Sequence, residues 1–328
     1  MGRTLDRRSL LTAAAAAITV GGCTQMTRNG PAAARYQNKL SPWPIALDTA
    51  TIRPRENPGT LDEKVRIAAQ AGYDAVEPWE FELHEFERSG GSLKDLGKKI
   101  RDQGMFVPSV IGLWNAIPST REQFDKSLPD HRRRMRQAAD LGAQHIQVVP
   151  QPARPWQEFD PLWAAELYRE LLEIGLSEFN INPAMVFVEF LPGVKRMSQA
   201  AAIALDADHP KAKIIPDLFH MYLGGSGFHG LKHLRGDFIA IFSINDAPAS
   251  PTREELIAMG TRESDARRIY PGDGILPLDQ ILRDLRAIGY TGAISLELYN
   301  PDYHRQDPLQ VARTGLEKTL KVIRQALT

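Results

Sequence analysis

From Pro44 onward, the chain alternates short apolar segments with longer amphipathic ones, and this alternation occurs eight times. Each apolar segment is typical of a buried strand. The intervening segments have apolar residues at three- and four-residue spacing and end near glycine, as amphipathic helices do. "TLDEKVRIAAQAGY" also has a capping-box spacing, with Thr60 three residues before Glu63. The predicted strands are 45–48, 75–78, 106–111, 146–149, 186–189, 214–217, 239–244 and 294–298.

Eight strands, each followed by a helix, over roughly 280 residues predict an α/β protein of the (β/α)8 barrel type, also called a TIM barrel. We place this single barrel domain at residues 42–328. A doubly wound open sheet is the alternative fold. No glycine-rich phosphate loop follows the first predicted strand in "IALDTATIRP", which disfavours a dinucleotide-binding version of that alternative.

The N-terminal segment "MGRTLDRRSLLTAAAAAITVGGC" predicts an export signal over residues 1–23. It has a basic start, an apolar stretch and then small residues, and the apolar stretch is too short for a stable membrane span. The pair Arg7-Arg8 before the apolar stretch resembles a twin-arginine signal. "VGGC" resembles a lipobox, which makes Cys23, the single cysteine, the predicted lipidation site. Residues 24–41 then form a tether, and the mature protein is expected outside the cytoplasmic membrane, anchored by its lipid.

The charge balance limits the partners of the chain. There are 40 basic and 40 acidic residues, which gives a formal net charge of zero. Nucleic acids and acidic membranes favour a basic surface, so we expect no nucleic-acid partner and membrane contact only through the N-terminal lipid. A homo-oligomer is left open.

Acidic side chains stand at the ends of consecutive predicted strands. Glu189 ends the fifth, Asp217 the sixth and Glu297 the eighth, while Ser243 and Asn245 end the seventh. Active sites of (β/α)8 barrels lie at this C-terminal edge. Three carboxylates placed together would repel one another without a cation, and their oxygens suit hard divalent ions. Glu77 ends the second strand and is a candidate for lining the pocket, and Trp114 in "GLWN" is a candidate apolar wall for a sugar.

Several stretches carry a resemblance to a known family: "LDEKVRIAAQAGYDAVEPW", "VFVEF", "IPDLFHMY", "INDAP" and "RRIYPGDGILPLDQILRDLRAIGYTGAISLELYN". Together they resemble the xylose isomerase-like superfamily of sugar isomerases and epimerases. The resemblance implies one divalent metal (Mn, Mg, Zn or Co) held by Glu, Asp, His and Glu on strands five to eight. Glu189, Asp217 and Glu297 match this set, whereas Ser243 stands where the histidine is expected. Asn245 is then the candidate fourth ligand.

The same resemblance implies that His220, in a D-x-x-H pattern, and Arg268 contact the substrate. It also implies a metal-dependent sugar isomerase or epimerase, and the lack of a phosphate-binding loop together with the predicted export favours an unphosphorylated sugar. In that reaction Glu189 and Glu297 would exchange a proton next to a carbonyl, through an enediolate. Two alternatives stay open. One is a lyase or glycosidase that cleaves 3-keto glycosides by elimination. The other is a non-catalytic sugar-binding lipoprotein, which the missing strand-seven histidine favours.

Overall fold

The computed structural model describes residues 40–54, 58–150, 158, 160–191 and 193–328. The described strands are β1 Ile45–Asp48, β2 Ala75–Glu77, β3 Val107–Trp114, β4 Ala143–Val149, β5 Asn182–Val186, β6 Ile214–Ile215, β7 Phe242–Ile244 and β8 Ile294–Leu296. The described α-helices are α1 Leu61–Ala71, α2 Glu80–Arg88, α3 Leu93–Asp102, α4 Arg121–Leu141, α5 Pro161–Phe179, α6 Met197–Asp206, α7 Leu218–Gly224, α8 Arg253–Met259, α9 Thr261–Asp265, α10 Leu278–Ala287, α11 Pro301–His304 and α12 Pro308–Leu327.

The eight strands are parallel and form a closed ring in chain order. Continuous pairing gives two arcs, with the strand orders β2-β1-β8-β7 and β3-β4-β5-β6. Single parallel bridges join the arcs: Ala75 with Phe106 on one side, and Ile214 with Ile239 and Asp217 with Ser243 on the other. The predicted (β/α)8 barrel is therefore confirmed, and the chain does not form the open sheet.

The fifth strand lies earlier in the chain than predicted. The sequence placed it at 186–189, but β5 ends at Val186. Its partner β6 is only two residues long, and the register pairs Met185 with Ile214 and Val186 with Ile215. Beyond Val186 the backbone instead turns, and the Val188 N–H bonds to the carbonyl of Val194 at 3.1 Å. Glu189 thus lies in the loop after β5.

The first helix begins where its capping pattern predicts. The Thr60 hydroxyl accepts a hydrogen bond from the N–H of Glu63 at 3.3 Å, and Glu63 Oε2 accepts one from the N–H of Thr60 at 2.8 Å. These two bonds form the predicted capping box and satisfy N–H groups that the helix itself leaves unpaired. Gly72 ends the helix with a φ of 93°, a left-handed conformation that glycine adopts without steric cost.

The apolar core has two main parts. A small cluster lies with the strands and includes Val149, Ala184, Val186, Ile215 and Ile241. A much larger cluster is formed by strand and helix side chains together, as expected when helices cover the outside of a barrel. None of the described helices is long and apolar enough to cross a membrane. The predicted signal peptide, with Cys23, and nearly all of the predicted tether lie outside the described residues.

Candidate active site

A cavity of about 160 Å³ lies at the C-terminal edge of the barrel. Trp79 and Trp114 form part of its wall, with their rings stacked at 5.7 Å between centroids. Its polar lining comes from several strands and from the segments that follow strands, and consists of Gln147, Asp217, His220, Ser243, Thr261, Asp265, Glu297 and Tyr299. A concave site with apolar walls and a few converging polar groups is the usual form of a small-ligand site.

Asp217 connects the barrel to the first turn of α7. As the N-cap of that helix, its Oδ1 accepts a hydrogen bond from the N–H of His220 at 2.8 Å. Its Oδ2 accepts bonds from Asn245 Nδ2 and Arg268 Nη1, both at 2.9 Å. Burial alone would raise the pKa of Asp217, but the charge of Arg268 and the hydrogen bond from the His220 N–H outweigh it and lower the pKa. Asp217 is therefore a carboxylate with both oxygens engaged.

His220 and Glu189 form a hydrogen-bonded pair through Nδ1 and Oε2. Burial lowers the pKa of His220, the charges of Glu189 and Asp217 raise it, and the charge of Arg268 lowers it. The other nitrogen, however, faces a guanidinium N–H, since Nε2 lies 3.2 Å from Arg268 Nη2. We therefore assign a neutral imidazole with its hydrogen on Nδ1, since a second proton on Nε2 would leave two donors facing each other.

Arg268 is fully buried at the centre of this group of side chains. Nη1 donates to Asp217 Oδ2 at 2.9 Å and to Glu297 Oε2 at 3.3 Å. Nε and Nη2 both donate to Asp265 Oδ1, at 3.1 and 3.0 Å, and Nη2 also donates to His220 Nε2. A guanidinium has five N–H groups, and these five contacts account for all of them.

Glu297 lines the cavity and accepts two side-chain hydrogen bonds. Its Oε1 accepts a hydrogen bond from the Tyr299 hydroxyl, and its Oε2 accepts the bond from Arg268. Burial raises the pKa of Glu297 to about 8, although Arg268 opposes the shift, and the nearby charges of Asp48 and Asp217 add to it. A carboxyl group with a pKa near neutrality can both give and take a proton.

The loop that carries Arg268 is fixed by another buried carboxylate. The two oxygens of Asp246 accept four backbone hydrogen bonds, from Ala247, Gly272, Gly274 and Leu276, at 2.8 to 3.1 Å. The backbones of Asp246 and Ile269 also bond to each other in both directions, at 3.0 and 3.1 Å. Asp246 thus holds the "YPGDG" loop, and with it the residue next to Arg268.

The structure brings some of the predicted site residues to the cavity and keeps others behind its wall. Asp217, His220, Glu297 and Trp114 line it. The remaining four predicted residues are absent from the described lining: Glu77, Glu189, Asn245 and Arg268.

Each of these four residues is hydrogen-bonded to a residue that lines the cavity. Glu189 lies behind His220, and Asn245 and Arg268 lie behind Asp217. Glu77 is fully buried and accepts a hydrogen bond from the cavity residue Gln147 at 3.0 Å. In this arrangement Arg268 contacts protein side chains, and a direct substrate contact for Arg268 and Glu77 stays a prediction.

Asp265 and Tyr299 line the cavity, and the sequence reasoning missed both. The sequence spacing of each residue to a predicted site residue could have revealed it. Tyr299 follows Glu297 by two residues, and residues at this spacing lie on the same face of an extended segment. Asp265 precedes Arg268 by three residues, a spacing at which side chains on a helical turn meet.

The described residues contain one group suited to holding a metal ion by donor type and spacing. Glu189, His220 and Asp265 each offer a ligand atom, and these atoms lie within 4.8 Å of one another. Carboxylate and imidazole groups are common ligands of zinc and similar ions, so this group is consistent with a divalent metal.

The predicted ligand set of Glu189, Asp217, Glu297 and Asn245 fits a metal less well. Arg268 donates to both Asp217 and Glu297, and Asn245 turns its amide nitrogen toward Asp217. These oxygens surround a guanidinium where the sequence predicted a metal. Whether these four residues bind a metal in solution stays a prediction.

A second cavity of about 770 Å³ adjoins the first and shares Asp265 and Tyr299 with it. Three arginines, Arg53, Arg262 and Arg305, contribute to its lining. The two cavities together offer room for a ligand larger than one that fills the first cavity alone.

Comparison with known proteins identifies the family. Residues 65–325 match the model of the xylose isomerase-like TIM barrel, and the chain therefore belongs to this family. It is 24% identical over 282 residues to the inosose isomerase of Bacillus velezensis, covering 85% of this chain and 96% of that protein. It is 26% identical over 266 residues to the 3-dehydroshikimate dehydratase of Pseudomonas putida, covering 80% of this chain but 40% of that longer protein.

Among solved structures, the crystal structure of the IOLI protein with a bound zinc atom is similar, with a TM-score of 0.74. The sequence identity is 21%, and the match covers 87% of this chain and 99% of that one. At this level of identity the likeness establishes the shared fold.

Proposed function

We propose that the chain is an isomerase or epimerase that moves a proton at a carbon next to the carbonyl of an unphosphorylated sugar or a related cyclic polyol ketone. The observation that carries this proposal is a proton-transfer group, Glu297, that lines the cavity. Glu297 lines it directly, with a pKa of about 8, and His220 lines it with Glu189 hydrogen-bonded behind. The similarity to an inosose isomerase supports an enzyme of this class.

In this mechanism Glu297 exchanges a proton with the substrate carbon or oxygen at one side of the cavity. The second acid–base group in this mechanism is Glu189, whose Oε2 is hydrogen-bonded to His220 Nδ1 behind the cavity wall. Trp79 and Trp114 provide flat apolar surfaces for the C–H face of a sugar ring. The buried charge of Arg268 stabilises negative charge that develops on the neighbouring groups during the reaction.

The test is proton exchange at the carbon next to the carbonyl. The full chain is incubated in D₂O with an inosose, several ketoses and 3-keto glycosides, and deuterium uptake and products are followed by NMR. We expect uptake and an isomeric product with at least one substrate, and a loss of at least about 100-fold in Glu297→Gln. The control Glu178→Gln removes an exposed carboxylate paired with Arg132 and should leave the rate unchanged. If the chain binds these substrates but exchanges a proton with none of them, the proposal of an enzyme is contradicted. A sugar-binding lipoprotein is then favoured.

Elimination from a 3-keto glycoside is the second candidate, and the adjoining cavity favours it. A glycoside carries an aglycone, for which the 770 Å³ cavity next to the small one offers space. The carboxyl would remove the proton next to the ketone, the electron pair of the enolate would form a C=C bond as the C–O bond to the aglycone breaks, and the protonated carboxyl would return its proton to the aglycone oxygen. The similarity to a dehydratase, an enzyme of elimination chemistry by its name, is in keeping with this outcome. Release of aglycone in the same NMR experiment would favour the lyase over the isomerase.

We further propose export to the outer face of the cytoplasmic membrane or the periplasm, with a lipid on Cys23. The support is the sequence alone: Arg7-Arg8 before an apolar stretch, and "VGGC" after it.

A further inference from the structure

The position expected for a metal by family resemblance is surrounded by acceptors that bind Arg268. Asp217 and Glu297 are two of the three carboxylates predicted as ligands, and both accept hydrogen bonds from the same guanidinium nitrogen, Nη1. Asp265 accepts two more from Nε and Nη2. Burying three carboxyl groups together is unfavourable unless a cation is present, and the fully buried guanidinium is that cation.

A metal and this guanidinium would compete for the same ligands. In the group formed by Glu189, His220 and Asp265, both nitrogens of His220 are engaged, one with Glu189 and one with Arg268. Asp265 Oδ1 lies only 3.0 and 3.1 Å from two guanidinium nitrogens. A dication bound there would lie close to a buried positive charge, and like charges in a poorly solvated site repel strongly.

The seventh strand agrees with this arrangement. The resemblance implies a histidine ligand at the position of Ser243, and a serine offers no imidazole nitrogen. Ser243 pairs with Asp217 in a parallel bridge, so the missing ligand lies directly beside one of the residues that bind Arg268. One side of the metal site lacks its ligand, and a guanidinium contacts two of the three predicted carboxylate ligands, Asp217 and Glu297.

We propose that Arg268 replaces the divalent metal in this chain. It is a positioning residue: it holds Asp217, Asp265 and Glu297 in place and balances their charge, and the site binds no divalent metal while the guanidinium is present. The inference rests on the proposed function only in regarding Glu297 as the proton-transfer group.

The experiment compares metal binding by the full chain with that of two arginine variants. Metal content is measured by elemental analysis, and affinity for Zn²⁺ and Mn²⁺ by calorimetric titration. We expect traces of metal and no saturable binding in the parent, and no change in Tm on adding a chelator. Arg268→Ala removes the competing cation from Asp217, Asp265 and Glu297, and should raise the affinity for these ions at least about tenfold.

Arg134→Ala is the matched control. Arg134 is also largely buried and lies near two carboxylates, Asp130 and Glu80, at 2.8 and 3.5 Å, but it belongs to α4 and lies outside the cavity lining. Its loss should not raise metal affinity. A merely structural role for Arg268 predicts no gain in metal affinity on its removal, so a folded Arg268→Ala chain with the parent's affinity overturns the proposal. Arg268→Lys, which keeps the charge, should bind metal no better than the parent.

If Arg268→Ala does not fold, the metal content of the parent chain by itself tests the proposal. About one equivalent of tightly bound metal in the parent, lost with a chelator together with a fall in Tm, overturns the proposal. That result would leave the proposed function intact. Conversely, a metal-free parent that shows no proton exchange with any substrate contradicts the proposed function and leaves the replacement of the metal by Arg268 standing.

Discussion

Glu77 shows at the scale of one residue how the barrel tolerates a buried acid. Burial raises the pKa of Glu77 to about 7, the charge of Glu297 adds to this rise, and the hydrogen bond from Gln147 limits it. The pKa in the folded chain thus lies above the ordinary value of 4.5. The contribution of Glu77 to the free energy of unfolding is therefore most favourable below pH 4.5, where the group is protonated in both states. This contribution is lost as the pH rises through 7, because the unfolded chain releases the proton at a lower pH than the folded chain.

Glu77→Gln should remove this pH dependence. A rise in pKa from 4.5 to about 7 corresponds to roughly 3 kcal/mol, so the variant should be more stable than the parent by up to that amount at pH 8. At pH 4.5 the two should differ little. Urea unfolding at both pH values measures the effect, with the exposed Glu178→Gln as control. A parent whose free energy of unfolding falls with pH no faster than that of Glu77→Gln contradicts the expectation.

Trp114 lies at the end of β3 and stacks on Trp79. If the two rings bind the apolar face of a sugar, Trp114→Ala should weaken substrate binding and leave the proton-transfer groups in place. We expect KM to rise about tenfold while kcat changes little, because uniform binding is what the variant loses. Trp114→Phe keeps an aromatic face and should recover most of the affinity. Steady-state kinetics on the substrate identified by proton exchange checks this, and a large fall in kcat at unchanged KM would count against the stacking role.

At the scale of an element, the loop after α9 depends on the absence of a side chain at Gly274. A Cβ there would lie 2.1 Å from the carbonyl oxygen of Ala247 and 2.4 Å from Asp246 Oδ1. Gly274→Ala must therefore displace backbone or break the bonds of Asp246, and should cost about 2 kcal/mol or more. Because the same loop positions Arg268, activity should fall as well.

Gly230→Ala is the matched comparison, since its Cβ would meet only the end of the Met197 side chain, at 3.2 Å. Urea unfolding of both variants should show a large loss of stability in the first and a small change in the second. Equal losses would mean that the close packing at Gly274 is not what stabilises the loop.

Strand and helix order could be predicted from the sequence because periodicity is a local property. β1 was placed at its observed limits, and the Thr60 capping box was confirmed. β5 was misplaced because the end of a strand depends on its partner, and β6 offers only two residues for pairing. No local pattern reveals that limit.

The candidate site shows the same difference between local patterns, which could be predicted, and long-range contacts, which could not. Asp217 and Glu297 lie within two residues of the ends of their strands, so strand order alone placed them at one cavity. The partners of Arg268 could not be predicted from the sequence, because Asp217 is separated from it by 51 positions and Glu297 by 29. Only the folded chain brings this guanidinium among carboxylates that the sequence, through its resemblance, had assigned to a metal.

At the scale of the whole molecule, the proposed lipid anchor decides where the barrel acts, and Cys23 is the one cysteine that can carry it. Each buried methylene of an acyl chain contributes about 0.8 kcal/mol to membrane binding. The full chain produced in a bacterial host should therefore partition into the detergent phase of a Triton X-114 extract, with an acylated N-terminal peptide beginning at Cys23. Cys23→Ser should move the protein to the aqueous phase without changing the Tm of the barrel. A parent chain found in the aqueous phase, with an unmodified Cys23 thiol by mass spectrometry, would contradict the anchor and leave export to be tested by itself.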